Sequence, residues 1–184
     1  MTAGATALLC LLLASALVPA QASPRAREAT AYVREAIPAA AIVGSGTLTW
    51  FGFHAYDAAL FAAGGRFVDS QPFALELTYA RDFKGAAIAE RSASEIRKLG
   101  LGSDTELAIW QDTLQKLFPD IRKGDRLTGV AMPNAPARFF HNGRQVGALT
   151  DERLARAFFA IWLDPRTSAP ELRARLLGQA PAAR

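Results

Sequence analysis

Apolar and polar positions alternate along residues 44–61, and the period of two predicts two strands folded about Gly52. Leu48 and Trp50 alternate with Thr47 and Thr49 before the glycine, and His54, Tyr56 and Leu60 share a side after it. Gly52 can take the positive φ of a tight turn. Gly44 and Gly46 carry no side chain, so a neighbouring backbone or a ligand can come close to the first strand there. Residues 73–79 alternate again and predict a third strand with Phe73, Leu75, Leu77 and Tyr79 inward. The period then lengthens to that of a helix. Residues 84–99 place Ile88, Ser92, Glu95, Ile96 and Leu99 along one side, with Gly100 at the stop. A second helix is expected from an N-cap at Ser103 or Asp104, with a stripe of Leu107, Trp110, Leu114, Leu117 and Phe118 that ends at Pro119. Strand character returns at 126–132, 137–141 and 144–149, and Asn142-Gly143 is a strong hairpin signal between the last two. Thr150 is expected to cap a helix bearing Leu154, Phe158, Ile161 and Trp162, and Ser168 with Pro170 to open a short last helix closed by Gly178. Ahead of all this, residues 23–38 predict a turn or two of helix, with Tyr32, Val33 and Ile37 available to dock it and Pro38 to stop it. The succession of elements, with no internal repeat or low-complexity linker, describes one α+β domain with two helices over a face of an antiparallel sheet.

Composition adds a location. Residues 1–22 carry no charged side chain, contain an apolar run too short to span a bilayer, and end in Ala20-Gln21-Ala22, the small-x-small pattern of a signal-peptidase site. The mature protein is therefore expected to be residues 23–184, exported without a transmembrane segment. The single cysteine, Cys10, leaves with the leader, and export without a disulfide suits a bacterial periplasm. The formal net charge of +4 comes from scattered arginines with no basic run, which argues against a nucleic-acid partner.

The residues exclude several chemistries. Two histidines, His54 and His141, and no mature cysteine fail to supply the spacings of a structural zinc site, so neither a metal nor another cofactor is expected. Gly44-Ser45-Gly46 continues as strand, whereas a nucleophile elbow or phosphate loop must open a helix. Three features remain. His54 and Tyr56, two apart on a strand, would face the same way, into a cleft or as a packed pair. Arg91 and Glu95, four apart on a helix, would read a ligand carboxylate or, more simply, hold each other. Trp50, Trp110 and Trp162 would anchor the core or, as a lesser alternative, line an apolar pocket.

Three runs, GSGTLTWFGFHAYDAALF at 44–61, YARDFKG at 79–85 and FFAIWLDP at 158–165, together resemble the bacterial, exported branch of the chalcone isomerase-like family over residues 42–178. The resemblance implies a large antiparallel sheet with a layer of helices on one side and a ligand cleft between them. Plant chalcone isomerases carry an arginine on the first strand shortly after the G-x-G, and a tyrosine and an asparagine on the following helix; fatty-acid-binding relatives use the arginine and tyrosine for the carboxylate. Here the strand offers Gly46, Thr47 and Thr49, and the helix Ile88 and Glu95. Ring closure by a phenolate needs a cation near the nucleophile and a donor near the developing enolate, and the threonines supply no charge. The expected function is a non-catalytic binding protein for a small apolar molecule such as a fatty acid or an aromatic compound, with Thr47, Thr49, His54, Tyr56, Ile88, Arg91 and Glu95 as candidate ligand contacts. The alternatives are an isomerase or intramolecular lyase acting on a phenolic or enone substrate, and a structural accessory of the cell envelope.

Overall fold

The computed structural model describes residues 28–50 and 52–179, so the expected leader and its cleavage site lie outside the described residues. Six antiparallel strands form one sheet in simple chain order: β1 (Ala40–Trp50), β2 (Phe53–Ala63), β3 (Phe73–Tyr79), β4 (Arg126–Met132), β5 (Ala135–His141) and β6 (Arg144–Leu149). The helices are α1 (Ala31–Ala36), α2 (Gly85–Lys98), α3 (Asp104–Leu117), α4 (Glu152–Leu163) and α5 (Pro170–Leu176). The architecture is α+β, and the alternation of apolar positions that predicts each strand is the cause of its two-faced burial. On one face, Leu60, Leu75, Leu77, Phe139 and Leu149 meet Ile96, Leu114, Leu154 and Phe158 from the helices. On the other face, Ala59, Phe61, Ala74, Val130 and Phe140 are covered by Val33 of α1 and Ile37 at its C-cap, so the short leading helix docks as its apolar positions predict.

The turns follow residue chemistry. Gly52 has φ +76° between β1 and β2, and Asn142 and Gly143 have φ +50° and +86°, both positive as the two-residue hairpin requires. A capping box fixes the start of α3: Glu106 N donates to Ser103 Oγ at 3.3 Å, and Ser103 N donates to Glu106 Oε2 at 2.9 Å. The cap of α4 is Asp151 and not Thr150. One carboxylate oxygen accepts from the amides of Arg153 and Leu154, while the other accepts from Trp110 Nε1 at 2.9 Å, which a threonine hydroxyl could not do at once. Similarly, Ala169 is the N-cap of α5, and the Ser168 side chain is used elsewhere.

Gly44 shows what the first strand's glycines are for. A Cβ there would lie 2.0 Å from the Arg175 carbonyl oxygen and 2.7 Å from that of Leu176, so it is the α5 backbone that comes close. The glycine pair seats the last helix on the first strand.

At the start of β4, Asp125 is a junction. It accepts from the Arg122 amide at 2.8 Å, from Asn142 Nδ2 at 2.8 Å and from His141 Nε2 at 3.0 Å, and these contacts hold its carboxyl down from 3.8 to about 2. A carboxyl depressed on folding contributes stability that is present above 3.8 and lost as pH falls towards 2. Asp125→Asn should therefore be less stable than the parent at neutral pH and lose less on acidification through this window. Urea unfolding across that pH range checks both parts.

Candidate functional site

A cavity of about 540 Å³ opens between the sheet and the helix layer, at the end where β2 begins and β3 ends. Its sheet wall is Leu48 and Trp50 of β1, Ala55 and Tyr56 of β2, and Leu77 and Tyr79 of β3. Phe83, on the connection into α2, joins Ile88 of that helix at one side, and Phe158, Ile161 and Trp162 of α4 form the other. These walls are apolar because the strand alternation and the helix stripes that build the core do not stop at the core's edge; they run on to its open end, where Leu48, Tyr56, Phe83, Ile88 and Ile161 are only partly buried against it.

The polar groups gather in two places. Trp162 Nε1 donates to Tyr56 Oη at 2.9 Å, which leaves the tyrosine's own hydrogen for a second acceptor. Burial pushes the Tyr56 hydroxyl up to about 12, against the opposing pull of the Trp162 hydrogen bond, so it stays protonated at neutral pH. Burial raises the Tyr79 hydroxyl as well. The second group centres on Glu95, whose side chain is only 7% exposed. Arg91 Nη2 lies 2.6 Å and Lys98 Nζ 2.9 Å from its Oε1, and Ser168 Oγ donates to Oε2 at 2.5 Å. Burial pushes this carboxyl up, but Ser168, Lys98 and Arg91 together outweigh it and hold it below the usual range. Arg91 is itself half exposed, with its guanidinium 5.3 Å from the Trp50 ring centre, so the ion pair reaches from the buried carboxylate to the cavity mouth.

Of the residues the sequence singles out, Thr49, Tyr56, Ile88, Arg91 and Glu95 all line this cavity. Thr47 and His54 do not. Thr47 Oγ1 donates to Asp57 Oδ1 at 2.6 Å, and His54 Nε2 lies 3.1 Å from the same oxygen. The expectation that His54 and Tyr56 face one way is corrected by the register. Leu48 pairs with Tyr56 and Thr49 with His54, so Ala55 is an extra residue in β2 that turns His54 away from the Tyr56 side. Trp110 and Trp162 are buried, as core anchors should be, but Trp50 is 52% exposed at the hairpin tip. Ser168 is a contributor that sequence reasoning missed, because its partner Glu95 stands 73 residues earlier and no local pattern links them. Tyr79 and Ser92 were visible as the end of an inward strand row and as the residue one helical turn after Ile88.

A meandering antiparallel sheet, a helix layer on one face and a cleft at the sheet's end define a ligand-cleft α+β fold. The family model described as chalcone isomerase-like matches residues 41–178, and the chain belongs to that family. Among solved structures, it resembles a fatty-acid binding protein of Arabidopsis thaliana with a TM-score of 0.54 at 14% identity, over 76% of this chain and 87% of that one. At that identity the likeness speaks for the fold. No curated protein sequence matches the chain.

Proposed function

We propose that this chain is a periplasmic, non-catalytic binding protein that holds a small, mostly apolar ligand, a fatty acid or an aromatic compound, in the cavity between sheet and helices. The observation that carries this reading is a cavity walled mainly by apolar side chains, with the Tyr56 hydroxyl and the Arg91–Glu95 pair among its polar groups, Thr49 on the sheet side, and Glu90 and three serines on the helix and loop side. Its volume of about 540 Å³ falls inside the roughly 300–1,000 Å³ usual for small-molecule sites. The fatty-acid binding named for the plant neighbour supports the same ligand class. An apolar chain would lie along Leu48, Leu77, Phe158 and Ile161, with its polar end towards Tyr56 and Arg91. Export rests on the leader-like residues 1–22.

The non-catalytic half of the proposal rests on charge. Cyclisation of a chalcone develops negative charge on the attacking phenolate and the enolate, and a cation committed to neither stabilises it poorly. Arg91, the cation on the cavity lining, is half exposed and paired with Glu95, so its outer edge can meet a carboxylate at the mouth. Its partly neutralised, solvent-screened charge does little for one that develops only in the transition state.

Titration of oleate into the purified protein, followed by tryptophan emission and native mass spectrometry, tests the binding reading. A saturable one-to-one complex is expected; a protein that stays empty at every oleate concentration overturns it. Chalcone should cyclise no faster than in buffer, and robust turnover would sink the non-catalytic part. The two threonines give a finer test. Thr49→Arg, at the cavity wall, should tighten oleate about tenfold or more, since one charge-assisted hydrogen bond is worth roughly 1.5–3 kcal/mol. Thr47→Arg, on the Asp57 side, should leave affinity nearly unchanged.

A further inference from the structure

We propose that the tip of the β1–β2 hairpin docks on an anionic phospholipid bilayer and so places the cavity mouth against the phase in which an apolar ligand resides. Delivery of ligand rests on the binding reading above; the docking itself does not.

The hairpin overhangs the sheet. The last pair between β2 and β3 is Tyr56 with Tyr79, whereas β1 and β2 go on pairing as far as Trp50 with Phe53. Trp50 is 52% and Phe53 61% exposed on this overhang. A cation attends each ring: Arg91 stands 5.3 Å from the Trp50 centroid and Arg81 4.9 Å from that of Phe53. Aromatic rings paired with long basic side chains are the chemistry of the headgroup layer, where the ring meets acyl chains and the guanidinium meets phosphate.

The acidic groups around the tip are mostly occupied. Glu95 is held by Arg91 and Lys98, and Asp57 by Thr47 and His54, which leaves Glu90 as the exposed carboxylate on the cavity wall. The whole chain's charge of +4 has the sign that an anionic surface attracts. A bilayer fits the size of the patch better than a protein does. Two rings on a narrow tip fall well short of the roughly 1,000 Å² that a specific protein interface buries, whereas interfacial anchoring is built from a few aromatics and cations. Trp50 also lines the cavity, so the docking surface and the ligand site are continuous.

Flotation with vesicles of phosphatidylcholine alone, and of phosphatidylcholine with phosphatidylglycerol in equal parts, is the test. The protein, free of fatty acid, should float with the anionic vesicles and much less with the neutral ones, with weaker binding as salt rises. Tryptophan emission should shift to the blue on binding. Trp50→Ser combined with Phe53→Ser, and separately Arg81→Glu, should each weaken vesicle binding about tenfold or more. Arg81 lies outside the cavity lining, so Arg81→Glu should keep the parent's affinity for oleate in vesicle-free buffer, and an unchanged far-ultraviolet circular dichroism spectrum and thermal midpoint for both variants show that the fold is intact. Equal flotation of parent and variants overturns the proposal, as does a patch that proves to bury itself in a dimer which the double variant dissolves. If vesicles bind while oleate does not, the docking stands and the ligand reading falls.

Discussion

Gly44→Ala should destabilise the protein by about 3 kcal/mol and loosen α5 from the sheet. The new methyl would stand 2.0 Å from the Arg175 carbonyl oxygen and 2.9 Å from the Gly178 amide nitrogen. Both are backbone atoms at the end of a helix, so no rotamer change relieves the clash, and the strand or the helix must move. Gly46→Ala is the internal comparison. Its methyl would meet the side chains of Leu172 and Arg175 at 2.9–3.1 Å, and flexible side chains can give way. A cost of about 1 kcal/mol is expected there. Thermal unfolding reads the difference, since each kcal/mol moves the midpoint by roughly 2–4 °C at this size. Equal midpoints for the two variants would show that α5 does not bear on Gly44 as described.

Arg91→Ala should weaken oleate binding by about ten- to a hundredfold while leaving the affinity for an uncharged analogue, such as the methyl ester, within about twofold. Arg91 can keep one edge of its guanidinium on Glu95 and turn another to a carboxylate at the cavity mouth, because the fork has five donors. Lys98 and Ser168 remain on Glu95 in the variant, so the buried carboxylate is not left unpaired and the fold should survive. Isothermal titration with both ligands separates the outcomes. Equal losses for acid and ester would mean that Arg91 shapes the cavity without reading charge.

Much of the fold was legible in the chain, because strands buried on one face announce themselves by a period of two. Phe73, Leu75, Leu77 and Tyr79 are all buried on the helix side, as their alternation requires. Gly52, Asn142 and Gly143 were legible because turns demand positive φ. The features that escaped depend on partners distant in sequence. Nothing local to residues 54–56 reveals that Ala55 is inserted opposite β1, and that insertion alone moves His54 out of the cavity. Trp50 reads as a core residue by alternation, yet β3 ends before it can cover the tip. Asp151 displaces Thr150 as a cap for a reason lodged in α3, the indole of Trp110. Gly44 announced a close approach, but only the folded chain says that the visitor is a helix.

The seating of α5 on β1 also sets an order of events. Each strand pairs with its chain neighbour, so the sheet can grow in chain order, β1 to β3 first and β4 to β6 once α2 and α3 have been passed. The glycine face of β1 must nevertheless wait for residues 170–178, more than a hundred positions later, before it is covered. Until α5 arrives, that hairpin keeps an uncovered face. A chain cut short before Pro170 would thus leave the glycine face of β1, in the hairpin that frames the cavity, without its helical cover.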